Sequence, residues 1–125
     1  MTRQRRLIYD IICRSDEHLT ADKIHKLAKN VMPSIAVGTV YRNLNLMCQC
    51  GEIMRVVIDN EPDRFDKNPK YHDHIICDGC GMVSDIFTEG LEDIIRDKTG
   101  IPIKSYNLTV HYYCDECRKK LQIKN

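Results

Sequence analysis

The chain has 125 residues with 19 Lys and Arg against 18 Asp and Glu, a net charge of +1, and it carries 7 Cys, 5 His and no Trp. That length suits one ordinary domain or two small ones and excludes a (β/α)₈ barrel of about 250 residues, while 42% hydrophobic content at near-zero charge argues against disorder. No apolar run approaches the roughly 18 residues that would span a bilayer, and Met1-Thr-Arg-Gln-Arg-Arg leads into no signal-type stretch, so a soluble, cytoplasmic protein with no membrane partner is expected.

Leu7, Ile8, Ile11 and Ile12 form the stripe of a first amphipathic helix. Thr20 is placed to cap a second, with Asp22 in its positive first turn and Ile24, Leu27, Ala28 and Val31 facing inward. Pro33 ends that helix, and Ser34 can cap a third whose stripe is Val37, Val40, Leu44 and Met47. The opposite face of the third helix offers Thr39, Tyr41, Arg42 and Asn45. Gly51 stops it, and residues 52–58 read as a strand. Asp59-Asn60-Glu61-Pro62-Asp63 is a turn cluster, followed by a short strand through Arg64-Phe65-Asp66. Three helices and a hairpin outline a winged helix-turn-helix, which lays its last helix in the DNA major groove.

In the second half, His74–Cys77 and Met82–Phe87 are strand candidates around the turn Cys77-Asp78-Gly79-Cys80-Gly81. Leu91, Ile94 and Ile95 mark a helix closed by Gly100 and Pro102. Leu108, Val110 and Tyr112 alternate with polar residues in a strand that delivers the chain to Cys114, and a last helix runs from Asp115 through Leu121. The fold expected is α+β: a winged-helix domain over residues 1–58, a hinge at 59–63, and an α/β domain over 64–125. Charge divides in the same sense. Met1–Arg55 holds nine basic and five acidic residues, a balance of +4, and Val56–Asn125 holds ten and thirteen, a balance of −3.

In a reducing cytosol, paired cysteines point to metal or redox chemistry rather than disulfides, and an odd total fits no complete disulfide framework. Cys77-x-x-Cys80 and Cys114-x-x-Cys117 are two knuckles that together make a tetrahedral four-thiolate shell, suited to zinc and closed to substrate. A dithiol redox motif is the rival reading of a single CxxC. A second constellation is Asp66, His72, His74 and Asp85. His72 and His74 share one face of an extended segment, and a nitrogen and oxygen shell suits Fe²⁺ or Mn²⁺, although intrinsic affinity would still favour Zn²⁺. Two carboxylates with neutral imidazoles balance a divalent charge. The plainer reading is a solvated His-x-His loop.

These motifs stand in an order that resembles the ferric uptake regulator (Fur) superfamily, most closely its peroxide-sensing (PerR) branch. The likeness runs through Thr2-Arg3-Gln4-Arg5, His18-Leu19-Thr20-Ala21-Asp22, Gly38-Thr39-Val40-Tyr41-Arg42-Asn43-Leu44, Asp63-Arg64-Phe65-Asp66, residues 72–81 and Cys114-Asp115-Glu116-Cys117. It implies a structural zinc on Cys77, Cys80, Cys114 and Cys117. It implies a regulatory Fe²⁺ or Mn²⁺ site of His18, Asp66, His72, His74 and Asp85, with His18 supplied by the DNA-binding module. It further implies a homodimeric repressor of palindromic operators, dimerised through its C-terminal module, and not an enzyme.

Aspartate at position 85 resembles the peroxide sensors, where iron sensors usually carry glutamate. By that likeness hydrogen peroxide is the signal, and the oxidised ligand is His18 or His72. Arg42 departs toward the iron and zinc regulators, and Tyr71 stands where iron regulators often have a further histidine. Iron sensing is therefore the alternative, with a thiol redox protein or a zinc-bound interaction module behind it. Family members often carry a helix before Thr-x-Gln-Arg, and this chain starts at that motif, so weaker DNA contacts are expected. The expected DNA contacts are Tyr41 and Arg42 on base edges, with Arg3, Arg5 and Arg6 on phosphates. Cys13, Cys48 and Cys50 are expected as small buried residues, His25 on a helix surface, and His111 as an auxiliary ligand or a bystander.

Overall fold

The computed structural model describes residues 2–70 and 72–122 and divides the chain into two compact units, Met1–Tyr71 and His72–Asn125. The first unit opens with α1 (Arg3–Arg14), whose N-terminus is capped by the Thr2 hydroxyl accepting the Arg5 N–H at 3.2 Å. A two-residue strand, β1 (Leu19–Thr20), leads directly into α2 (Ala21–Lys29). Thr20 caps α2 as expected, its hydroxyl accepting from the Lys23 N–H at 3.2 Å.

Then come α3 (Val37–Gln49), β2 (Met54–Val56) and β3 (Arg64–Asp66). Ser34 does not cap α3. Ala36 holds that position and makes no side-chain bond, because the chain turns two residues longer than the Pro33 signal implied. Gly51 ends the helix with φ +72°, a left-handed conformation that a β-carbon would strain.

The stripes meet in one core. Ile8, Ile12, Ile24, Ala28, Val40, Leu44 and Met47 are buried together with Leu19, Ile53 and Phe65. Leu27, Val31 and Val37 stay exposed, so each stripe is narrower than its periodicity suggests. The sheet order is β1-β3-β2, all antiparallel, with Leu19 opposite Phe65 and Arg55 opposite Phe65 on the other side. A winged helix-turn-helix is thus present, but its sheet has a third strand too short for any alternation to reveal. Because β3 pairs with β1 and β2, residues 64–71 belong to the first unit. The break lies between 71 and 72 rather than at the turn 59–63, which is the tip of the wing and not a hinge.

The second unit contains β4 (Asp73–Cys77), β5 (Val83–Ile86), α4 (Leu91–Thr99), β6 (Thr109–Tyr112) and α5 (Asp115–Leu121). Its sheet order is β5-β4-β6, with β4 antiparallel to β5 and parallel to β6. Its core is thin. Ile76 and Val83 are the buried aliphatics among the described residues, beside Cys77 and Cys117, and α4 buries none of its side chains. A unit this small with so little apolar burial needs another source of stability. No helix among the described residues is long and apolar enough to cross a membrane.

Candidate functional site

Four cysteines converge in the second unit. Cys77 ends β4, Cys80 lies in the turn that follows, Cys114 is the residue before α5 and Cys117 lies in its first turn. Pairing brings them together: Cys77 N–H donates to the Met82 carbonyl at 2.9 Å, and Asp78 N–H to the Tyr112 carbonyl at 2.8 Å, which carries β6 to Cys114. The four sulfurs lie within 4.8 Å of one another. A tetrahedral zinc with Zn–S bonds of about 2.3 Å has sulfurs about 3.8 Å apart, so this cluster fits that ion with a small contraction.

The thiols are unequal. Backbone N–H groups of Cys114 and then Cys80 point at the Cys77 sulfur, and the first, at 3.3 Å, does most to bring its pKa down to about 6. Cys117 is pushed up to about 12, chiefly through its bond to the Cys114 thiol and then through burial. Gly79 makes the approach possible, since a β-carbon there would lie 2.7 Å from the Cys117 sulfur. A glycine between two ligand cysteines was the available signal for this close contact. His111 places Nδ1 2.8 Å from an Asp78 oxygen, both side chains exposed.

The nitrogen and oxygen donors form one group in each unit. In the second unit, His74 on β4 lies directly opposite Asp85 on β5. His72 projects from two residues earlier on the same side. His72 Nε2 lies 2.9 Å, and His74 Nε2 3.3 Å, from the same Asp85 oxygen, with the two rings 4.7 Å apart. The Phe87 ring stacks on His72 at 5.4 Å, a neighbour that spacing alone did not single out. Asp73, on the opposite face, accepts from the Thr88 hydroxyl at 2.9 Å. In the first unit, His18 precedes β1 and Asp66 ends β3, and His18 Nε2 lies 3.2 Å from Asp66 Oδ2. Asp66 is buried, and its other oxygen accepts the Asn68 N–H at 2.9 Å. Neighbouring ligands at about 2.1 Å from one ion, at right angles, lie about 3.0 Å apart. The spacings within each group match that figure.

Tyr41 and Arg42 are exposed on α3, and the Tyr41 hydroxyl donates to Asp22 at 3.5 Å. Arg3 and Arg6 are exposed on α1, whereas Arg5 is bound to Glu52 at 2.6 Å with both side chains partly buried. That ion pair ties α1 to the turn after α3. His25 is half-buried, its Nε2 donating to the Ile35 carbonyl at 3.0 Å across the turn between α2 and α3, and is not a simple surface residue. Cys13 and Cys48 are partly buried, burial pushing the Cys48 thiol up, but Cys50 is exposed. Tyr71 lies outside the described residues.

Residues 1–119 match the model of the ferric uptake regulator family. The chain belongs to that family. It is 32% identical over 123 residues to the peroxide operon regulator of Bacillus subtilis strain 168, covering 96% of this chain and 85% of that one. Among solved structures it is similar to a ferric uptake regulator from Francisella tularensis with iron, at 31% identity and a TM-score of 0.81, covering 94% of this chain and 93% of that one. The Helicobacter pylori ferric uptake regulator shares the fold at a TM-score of 0.82 and 24% identity, over 94% and 81%. Members of the family are transcription regulators rather than enzymes.

Proposed function

We propose that this chain is a cytoplasmic, metal-dependent repressor that binds palindromic operator DNA as a homodimer and senses hydrogen peroxide by oxidation of a ligand histidine, His18 or His72. Cys77, Cys80, Cys114 and Cys117 hold a structural zinc. His18, Asp66, His72, His74 and Asp85 hold a regulatory Fe²⁺ or Mn²⁺. Two of these five ligands come from the first unit and three from the second, so one ion shared by all five fixes the domain orientation that grips DNA.

The observation that carries this reading is the pair of imidazole nitrogens turned onto one oxygen of Asp85, an aspartate on β5. By family resemblance, aspartate at that place is the mark of the peroxide sensors, and the B. subtilis relative is named as one. Iron, when bound, would catalyse the step by lending one electron to open the peroxide O–O bond and recovering it from the ring, so that the imidazole is the net reductant. The chain supplies the acceptor. One peroxide oxygen bonds to an imidazole ring carbon in place of hydrogen, the other leaves as water, and the side chain gains 16 Da. The oxidised ring is a poorer donor, so the shell loses a ligand and the DNA-gripping orientation is released.

Operator binding measured with Fe²⁺ or Mn²⁺, before and after peroxide, tests this. Release from the iron form alone supports it. Arg42, exposed on α3, favours a second reading, because arginine is common there in iron regulators. An iron form that survives peroxide while chelation frees the DNA establishes iron sensing instead.

A further inference from the structure

The structure around β2 assigns Asn45 as a base-reading residue of α3 whose amide is held by Arg55 with its NH₂ group outward. This rests on the proposed DNA-binding role of α3. Arg55, on β2, is engaged on three sides. Its Nη1 donates to Asp63 at 2.9 Å, its Nη2 donates to the side-chain oxygen of Asn45, and its guanidinium lies 5.2 Å from the centre of the Phe65 ring. Asn45 is exposed on the same polar face of the helix as Tyr41 and Arg42.

The chemistry of the pair fixes the polarity of Asn45. A guanidinium has five N–H donors and no acceptor, so an amide facing it must present its oxygen, whichever way an asparagine is placed by default. An unconstrained asparagine pairs with adenine by accepting from N6 and donating to N7. With its oxygen turned to Arg55, Asn45 presents its NH₂ donors on the outward side. In the major groove it then prefers a base edge made of acceptors, above all guanine with N7 and O6.

The wing contributes in a second way. Its tip carries Asp59, Glu61 and Asp63, and of its two arginines Arg55 is engaged by Asp63 and Asn45 and Arg64 by the His18 carbonyl. The wing therefore acts by setting the polarity of a recognition side chain, and it adds little phosphate attraction of its own. Arg55 is a positioning residue in this scheme. Asn45 makes the contact.

The test is selection of duplexes from a randomised DNA library by the manganese-loaded full chain. Wild type, Asn45→Ala, Asn45→Asp and Arg55→Met are compared, with calf-thymus DNA as the non-specific reference. Wild type selects guanine at one position in each half-site. Asn45→Ala loses that preference and binds the selected duplex about tenfold more weakly, with calf-thymus binding unchanged. Asn45→Asp keeps the bond to Arg55 but has no donor, so it also loses guanine, and an unchanged fold is checked by its helical circular dichroism and its thermal unfolding midpoint. Arg55→Met frees the amide to turn, and the preference moves from guanine toward adenine. A purely structural Arg55 would weaken all binding without moving the base preference. The assignment is overturned alone if Asn45→Ala selects the wild-type sequence with wild-type affinity, or if Arg55→Met keeps guanine. If wild type selects no sequence with any metal, the DNA-binding reading falls with it.

Discussion

Gly79 and Cys77 show how single residues set the metal chemistry. A β-carbon at 79 would meet the Cys117 sulfur at 2.7 Å and its β-carbon at 2.8 Å, with the thiolate knuckle on one side and the first turn of α5 on the other. Gly79→Ala is therefore expected to lose zinc to a chelator at least tenfold faster than wild type, followed by a colorimetric zinc indicator; equal release rates would contradict the packing argument. Zinc ligands bind as thiolates. With Cys77 brought down to about 6 by backbone N–H groups, it is already ionised at pH 7.5, whereas Cys117, at about 12, is not. Zinc uptake by the metal-free chain is therefore predicted to release about one proton more at pH 5, below the Cys77 value, than at pH 7.5, measurable by calorimetry in buffers of different ionisation enthalpy. The cysteine pairs were legible from spacing alone. The inequality of their thiols was not, because it depends on which backbone N–H groups a strand and a helix start aim at one sulfur.

The helices and strands divide into those supported by a hydrophobic core and those that lack one. α1, α2 and α3 bury Ile8, Ile24, Ala28, Val40, Leu44 and Met47 against one another, and their 3.6-residue stripes were readable in the sequence. β1 was not, since two residues carry no period, and it forms only because β3 offers it an edge. That pairing moved the domain break from the Asp59–Asp63 turn to 71/72. It also brought His18 beside Asp66, a pairing that local sequence could not show, although family resemblance named both residues. In the second unit β6 was legible by alternation and β4 and β5 as short apolar runs around a turn, yet α4 buries nothing and, among the described residues, the aliphatic core is two side chains. Zinc removal is accordingly predicted to expose the amides of β4 and β6 to rapid hydrogen exchange while α1 and α3 keep their protection. Simultaneous loss of protection in α1 would show that the first unit does not stand on its own core.

At the scale of the molecule, a total of +1 conceals an uneven distribution. Met1–Tyr71 carries twelve basic and nine acidic residues, His72–Asn125 seven and nine. The basic excess is smaller than a division at residue 55 suggested, because the wing tip and Asp66 belong to the first unit. DNA affinity in the account above therefore depends less on bulk charge than on a fixed domain orientation and on the polar face of α3. The central claim is that peroxide acts by altering one ligand histidine in the iron form. Trypsin separates the candidates, placing His18 in the peptide 15–23 and His72 in the peptide 71–96. The decisive measurement is peptide mass mapping on the DNA-bound iron and manganese forms after one equivalent of hydrogen peroxide, with operator release followed in the same samples. Sensing through a ligand histidine predicts a gain of 16 Da on His18 or His72 in the iron form, in proportion to the DNA released, and none in the manganese form. DNA release with both peptides unmodified would contradict it.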